Sequence, residues 1–498
     1  MTRLLSPRTA LLAAIATQLG ACVVGPNYRV PDNAMIKVDS ANASFVGAAD
    51  DPALAQSPVP QNWWRLYDEP RLDGLIAAAL AANTDLRAAN GALARSEALL
   101  VEARTRRQPN IAIDAGAERS QVAGEDYLLR IRPPESSDYK ASVTIGYDLD
   151  LFGAIRRGIE EAAADRDAVL AARDLVRVNV VAETARAYVD ICGAGLELNS
   201  AQETLLVQRT SLALTERLQS GGRATTLDVT RARQIVKQQE STLAPIEAAQ
   251  RNALYRLAVL TGRPPAEFER DLTSCAAPPQ LSRPLPVGDG AALLKRRPDI
   301  RRAERQLAAT TASIGVATAD LYPHVQLGLS VGSLGLMRDF LTAPTNFWNI
   351  GSIFHWQANQ SAARARVAAA EAGAQTALAN FDGVVLRSLQ DVETALNTYV
   401  HDLRQQISLA AAREDAAKAA DDALRLQLAG RADAFAVVDA QRTLATAEQQ
   451  YARSQVAVAA DQIAIFLALG GGWLSDESSA LAAPDRVSYE MRAREIRN

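Results

Sequence analysis

Residues able to do chemistry are few in this sequence and poorly placed for it. The 498 residues include three histidines, His324, His355 and His401, and no two stand at a spacing that would share a metal ion. No Gly-Lys-Ser/Thr loop is present to cradle a phosphate. Gly328-Leu329-Ser330-Val331-Gly332 matches the nucleophile pattern of esterases, yet that pattern works only on a sharp strand-to-helix turn, and Ser330 stands inside an alternating stretch. Neither catalysis nor a bound cofactor is therefore expected. Lys and Arg are interspersed with Asp and Glu at a net charge of −4, so no basic stripe marks a nucleic-acid partner.

Cysteine is the remaining reactive type. Cys22 closes Leu19-Gly20-Ala21-Cys22, behind a basic head at Arg3 and Arg8 and an apolar stretch from Leu11 to Leu19. This order resembles the lipobox of bacterial lipoproteins, which implies a signal peptide over 1–21, cleavage before Cys22 and a covalent lipid on its thiol. Such lipoproteins carry Asp in the next position when they stay in the inner membrane; Val23 implies transfer to the outer membrane. A single acylated residue holds a protein loosely, so further membrane contact is expected. Cys192 falls on a helical apolar pattern and reads as packing, while Cys275 lies in a Pro-rich stretch; whether the two bridge is left open.

The elements that would carry any site are written twice. Asn83-Thr84-Asp85-Leu86-Arg87-Ala88-Ala89 is echoed by Arg297-Pro298-Asp299-Ile300-Arg301-Arg302-Ala303, and Gln108-Pro109-Asn110-Ile111 by Tyr322-Pro323-His324-Val325, both 214 positions on. Leu218 to Ala224 matches Leu426 to Ala432, and Leu260-Thr261-Gly262 matches Leu469-Gly470-Gly471, at an offset of 208 or 209. In each copy a helix of about 35 residues (Leu72 to Arg107; Ala291 to Leu321) stops at Pro109 or Pro323, because proline cannot continue it. Two strands follow, and then an alanine-rich helix of roughly 60 residues, or about 90 to 100 Å. Gly221-Gly222 and Gly430 turn the chain into a returning helix, and Pro245 predicts a kink or break in the first of these.

The strands alternate with period two. Ile111, Ile113, Ala115 and Ala117 oppose Asn110, Ala112, Asp114 and Gly116; Ala141, Val143, Ile145, Tyr147 and Leu149 oppose Lys140, Ser142, Thr144, Gly146 and Asp148. In the second copy Val325, Leu327, Leu329 and Val331 alternate with Gln326, Gly328, Ser330 and Gly332, and Trp348, Ile350, Phe354 and Trp356 share a face. After the N-terminus no run of about 20 apolar residues occurs, so membrane entry must use these strands. Four strands of about nine or ten residues fit a tilted membrane strand in length but cannot close a barrel. Three copies would give twelve strands; two or four copies would also satisfy closure.

Asn62-Trp63-Trp64-Arg65-Leu66-Tyr67-Asp68-Glu69-Pro70-Arg71-Leu72, with Ala79 to Leu86 behind it, resembles the opening of the outer-membrane factor (TolC-like) family in its lipoprotein branch. Leu285-Pro286-Val287-Gly288 and Leu294 to Arg301 are similar to the start of that family's second repeat, and Asp439-Ala440-Gln441-Arg442 to its last tip helix. The resemblance implies a mainly α chain with a membrane β-barrel: four strands and long antiparallel helices per protomer, and a homotrimer forming a twelve-strand barrel and a twelve-helix periplasmic tunnel. It implies an efflux duct in the outer membrane of a Gram-negative bacterium. The duct would dock on a periplasmic adaptor (membrane fusion) protein and an inner-membrane pump of the RND type, and would pass small molecules.

The expected organisation is a lipidated extended segment over 22–62, a first repeat over 63–270, a linker over 271–284, a second repeat over 285–473 and a polar tail over 474–498. The resemblance also implies a periplasmic gate at Asp439 and Arg442, with Gln427 where the family has a tyrosine. For the pair, the plainer reading is an ordinary surface ion pair one helical turn apart. Gly221, Gly222, Arg223, Asp228, Gly430 and Arg431 form the expected adaptor-docking tips, the glycines being equally explained by turn geometry. Ser352 to Asn359 departs from the family's compact turn, so a different exit from the fourth strand is expected. Export of polypeptides through a type I-like secretion system is the alternative within the channel class. A closed lipoprotein scaffold is the alternative outside it, and it would not need strands with a polar face.

Overall fold

A computed structural model describes residues 23–48, 51–123, 125, 128, 130–281 and 283–471. The expected signal peptide, the lipid carrier Cys22 and the tail over 474–498 lie outside the described residues. The first copy runs α1 (Pro70–Ala82), α2 (Thr84–Thr105), β1 (Asn110–Ser120), β2 (Ser136–Leu149), α3 (Ala154–Ser220) and α4 (Thr226–Leu260). The second runs α5 (Gly290–Arg296), α6 (Pro298–Ala319), β3 (His324–Leu336), β4 (Asn346–His355), α7 (Ser361–Leu428) and α8 (Ala434–Ala468).

The single helix expected at the start of each copy is two helices, broken at Asn83 and at Arg297. The two breaks are equivalent, and the helices that follow them, α2 and α6, are both 22 residues long. Asn83 is extended and its Oδ1 accepts from the Asp85 and Leu86 amides at 2.9 and 3.0 Å, which makes it the N-cap of α2. Arg297 precedes Pro298, which drives it out of the helical region and opens α6 at its first position. Each break then reaches the end of its own returning helix: Asn83 Nδ2 donates to the Leu260 carbonyl at 3.1 Å and Arg297 Nη1 to that of Ala468 at 2.8 Å. Those helices end in left-handed glycines, Gly262 and Gly470, each followed by an amide bonded back across the last turn. The equivalence is thus Gly262 to Gly470, an offset of 208, and not Gly262 to Gly471.

Two compact units form. The first gathers 92–170 and 302–381 with the described part of 1–31, and the second gathers 32–91, 171–301 and the described part of 382–498. In the first unit the four strands make one antiparallel sheet in the order β1-β2-β3-β4, with 11, 14, 13 and 10 residues, longer than expected in all but the last. Ile113 faces Val143, Val143 faces Val331 and Val331 faces Trp348, so all four alternations fall in phase. One face carries Ile111, Ile113, Val143, Leu327, Val331, Trp348, Ile350 and Phe354, all exposed in the single chain. The other carries Asp114, Lys140, Ser142, Thr144, Gln326 and Ser330, with Thr144 and Ser330 sharing a hydrogen bond at 3.0 Å. Ser330 therefore sits mid-strand, and not on the turn that a nucleophile would need. Among the described residues β1 and β4 each have one strand neighbour only.

The strands leave the sheet differently in the two copies. Asp150 accepts from the Ile155 and Arg156 amides, both at 2.9 Å, and Gly153 turns the chain with φ 83. After β4, Trp356 Nε1 and Gln360 Nε2 both donate to the Leu321 carbonyl, at 3.1 and 3.0 Å, and Asn359 caps α7 by accepting from the Ser361 amide at 3.2 Å. The N-terminal segment is strapped to this unit by one buried guanidinium. Arg157 donates to the carbonyls of Val24 and Gly25 at 3.1 and 3.0 Å, to Asn27 Oδ1 at 2.9 Å and to Glu160 at 2.7 Å. A side chain at Gly25 would collide with the Gly315 backbone and one at Gly315 with the Arg157 side chain, and Tyr28 donates to Glu304 Oε1 at 2.6 Å.

The second unit holds the main apolar core, in which Trp63 stacks on Phe466 with ring centroids 4.6 Å apart, over Leu72, Ile76, Val181, Ile191 and Leu396. Leu54–Ala55 and Leu285–Pro286 form a short parallel bridge beside it. Cys192 is packing, as expected, and it is also bonded to Cys275, 83 residues away. The returning helix α4 is not broken: Pro245 lies inside it, and Ile246 is held by Ala194, Ala201, Leu198 and Leu243. On α8, burial and then the neighbouring Asp402 carboxylate push the Asp461 carboxyl up to about 7, against the pull of Arg186.

The bridge closes an 83-residue loop, so a Cys192→Ser, Cys275→Ser double variant is expected to lose about 4 kcal/mol of stability, read as an earlier denaturant midpoint that reductant no longer moves. Asp461 gives a pH signature. Its folded form keeps the proton to about 7 and its unfolded form only to the ordinary 3.8, so the unfolded chain binds fewer protons in between and stability falls as pH rises through that window. Asp461→Asn is expected to remove that slope and to melt higher than the parent above pH 7.

Candidate functional site

The helix pairs end in two turns of the same build. At the first, Gly222 (φ 71) donates its amide to the Gln219 carbonyl at 2.9 Å and Arg223 to that of Leu218 at 2.8 Å. At the second, Gly430 (φ 70) donates to Gln427 at 2.9 Å and Arg431 to Leu426 at 2.8 Å. Both are helix stops that require a left-handed residue, and a side chain added at either glycine would meet nothing within 4 Å. Conformation therefore explains Gly222 and Gly430. Gly221 only continues the last turn, its amide bonded to the Arg217 carbonyl at 3.1 Å.

The returning helices are capped at equivalent positions. Thr225 accepts from the Asp228 amide at 3.2 Å while Asp228 accepts from the Thr225 amide at 2.8 Å, a reciprocal capping box. Those hydrogen bonds from Thr225 hold the Asp228 carboxyl below the usual range. Asp433 accepts from the Ala436 amide at 2.9 Å in the second copy. Asp228 is thus engaged in starting a helix. The Arg223 and Arg431 side chains make no ion pair among the described residues, and Leu227, Leu426 and Leu428 stand exposed in the same turns.

Asp439 and Arg442 meet as expected from their spacing: Arg442 Nη2 donates to Asp439 Oδ1 at 2.7 Å, on an exposed face of α8. They border a groove of about 400 Å³ between α4 and α8, together with Arg231, Gln234, Phe435 and Thr446. Gln427 does not join them; its Oε1 is enclosed without a hydrogen-bond partner among the described residues. Arg231, which the sequence reading passed over, lies 5.2 Å from the centroid of the Phe435 ring. The 208-residue offset points to it, because it places Arg231 opposite Asp439 and Gln234 opposite Arg442. The first of these equivalent pairs carries opposite charge, Arg231 against Asp439, and the second sets a neutral Gln234 against Arg442.

No group of histidine, cysteine and carboxylate side chains that could hold a metal ion occurs among the described residues, and no described helix is long and apolar enough to cross a membrane. The profile of the family described as Outer membrane efflux protein matches residues 75–263 and 291–471, one stretch in each copy. The pyoverdine export outer membrane protein OpmQ of Pseudomonas putida is 30% identical over 428 residues, which cover 85% of this chain and 90% of that protein. The toluene efflux pump outer membrane protein TtgC, also of Pseudomonas putida, is 27% identical over 487 residues, covering 94% of this chain and 96% of that one. Among solved structures, that of the outer-membrane channel OprN superposes with a TM-score of 0.84 at 33% identity, covering 91% of this chain and all of that one. With both copies of the duplicated unit matched and the mainly helical four-strand fold in common, this chain belongs to the outer membrane efflux protein family, as an outer-membrane channel that works with periplasmic and inner-membrane partners.

Proposed function

We propose that three copies of this chain form a passive duct, a twelve-strand barrel with a twelve-helix tunnel, that carries small organic molecules outward from an RND-type pump through a periplasmic adaptor. The observation that carries the reading is the pair of half-paired strands, β1 and β4, at the two sides of a sheet with one continuous apolar face, while the other face mixes polar side chains with Leu334 and Ile353. In hydrocarbon each unpaired backbone group costs several kcal/mol, so the edges require strands from other copies. Three is the count that the family resemblance implies. Export of pyoverdine and of toluene belongs to the relatives by name; here their likeness supports a small-molecule cargo over a polypeptide.

Cys22 is the acylated residue in this reading, and the strap at Arg157 supports it by tying the residues just after Cys22 to the sheet-bearing unit. Arg223 and Arg431, with the exposed leucines around them, are the adaptor-facing features of the tips. The groove-side pair Asp439 and Arg442, opposite Arg231, is the resting constriction, and Gln427 adds no hydrogen bond to it. The protein needs no catalytic group and no cofactor other than the lipid.

Planar-bilayer recording tests the whole reading. The purified full-length protein is expected to show a small resting conductance, and an Asp439→Ala, Arg442→Ala variant to conduct more, once these charged side chains no longer narrow the constriction. No conductance from either protein would remove the channel reading; equal conductance would remove the gate assignment alone.

A further inference from the structure

The connection between β3 and β4 is built more tightly than a hairpin loop requires. Tyr139, near the start of β2, is 3% exposed although it projects from the outward apolar face, in register with Ala117 on one side and Gly335 on the other. The loop covers it. The Leu341 amide donates to Tyr139 Oη at 2.8 Å, and the Phe340 ring lies against the tyrosine with centroids 4.7 Å apart. The hydroxyls of Tyr139, Ser333 and Thr345 form a closed triangle with sides of 2.7, 2.9 and 2.7 Å. Leu341 takes a left-handed conformation, φ 57, which a side-chain-bearing residue adopts only when its surroundings hold it there. Gly335 supplies the room: a side chain there would come within 2.6 Å of Thr345 Cγ2.

The loop is therefore folded over the apolar face of the sheet and away from the polar one. Its outward residues are apolar, with Phe340 54% and Leu341 57% exposed and Met337 beside them, and Arg338 stands exposed in the same turn. These side chains continue the exposed row of Val143, Val331, Trp348 and Ile350. We propose, resting on the channel reading, that the loop over 337–345 is a lipid-docking element. In it Phe340, Leu341 and Met337 enter the acyl region of the outer leaflet, Arg338 meets lipid phosphate, and Tyr139 is the latch that keeps the loop off the channel mouth. The occupant is lipid and not a second copy, because β2 has both neighbours, β1 and β3, within its own chain. The loop seated on Tyr139 thus lies inside the sheet and away from the edges where another chain would pair. Apolar rings with a cation beside them also match the membrane interface in chemistry.

The test uses the assembled full-length protein in phosphatidylethanolamine and phosphatidylglycerol vesicles containing a nitroxide-labelled phosphatidylcholine. An environment-sensitive fluorophore is placed on Phe340→Cys and, as a control, on Glu135→Cys in the other hairpin loop. Quenching by the nitroxide lipid is expected to be at least about threefold stronger at 340 than at 135, with blue-shifted emission, as for a group at the interface. Tyr139→Phe and Gly335→Ala, each added to Phe340→Cys, are expected to bring the signal down to the control level and to make single-channel current flicker. Quenching at 340 by aqueous iodide instead of lipid would overturn the proposal, and so would protection from both quenchers, which would mean a neighbouring chain covers the loop. Conductance in the same vesicles separates the two claims: a conducting protein whose residue 340 is in water loses the latch and keeps the channel.

Discussion

Everything in this molecule is arranged around a sheet that cannot be finished by one chain. Among the described residues β1 and β4 each offer a row of backbone donors and acceptors with no strand beside it, and the face they share with β2 and β3 is apolar and bare. Either feature alone would be a hazard in water, since open edges and apolar patches both recruit other chains. Together they make sense only where hydrocarbon covers the face and further strands cover the edges. The register matters as much as the composition. A slip of one residue anywhere in the sheet would turn Val143 or Val331 to the polar side and Lys140 or Gln326 to the apolar one, so the pairing is fixed by the same alternation that fits the sheet to a membrane.

The helical part solves a different problem, namely how to hold very long antiparallel helices in a fixed relation. α3 and α7 run for 67 and 68 residues, and each is followed by a partner of 35. Such helices pack along alanine-rich seams and can slide along one another. Each copy stops the slide in the same way: a side chain at the break before α2 or α6 bonds the last carbonyl of the returning helix, Asn83 to Leu260 and Arg297 to Ala468. Asparagine and arginine share the ability to donate a side-chain N–H to that carbonyl, and each keeps partners of its own: the Asp85 and Leu86 amides for Asn83, and Asp299 and Asp391 for Arg297. The bond from Cys192 to Cys275 adds a covalent stop in the first copy only.

Local patterns in the sequence carried most of this architecture, and long-range contacts carried what it lacked. Period-two alternation, the prolines at 109 and 323 and the glycines at 222 and 430 each act within a few residues, so the strands, the helix ends and the duplication could be read directly. The breaks at Asn83 and Arg297 were obscured because alanine-rich flanks on both sides read through them, although Asn-Thr-Asp and Arg-Pro are themselves cap signals. Pro245 predicted a kink or break, and the helix runs through it without a break, with Ile246 packed against Ala194 and Ala201. Contacts between residues over a hundred positions apart, such as Tyr139 with Ser333 and Arg157 with the carbonyl of Gly25, leave no periodic trace at all. At the tips the sequence placed Asp439 and Arg442 side by side, and the spacing alone was enough for that. It could not place Gln427, whose surroundings are set by neighbouring helices.

Comparison of the two copies separates scaffold from function on physical grounds. Where both copies must bear the same load they agree: the breaks, the left-handed glycine stops, the capped starts of α4 and α8 and the length of those helices. Where they disagree, a symmetric part has been given two different jobs. The strand exits diverge, with Asp150 and Gly153 in one copy and Trp356, Asn359 and Gln360 in the other. On the facing helices Arg231 stands where Asp439 does, and Gln234 where Arg442 does, across a single groove. Two identical returning helices would set like charges against each other in that groove and push it open. The opposite charges of Arg231 and Asp439 instead let one duplicated hairpin face the other without repulsion at that position. Exposed ion pairs of this kind contribute little each, so the side chains bordering the groove can rearrange without disturbing the helices behind them.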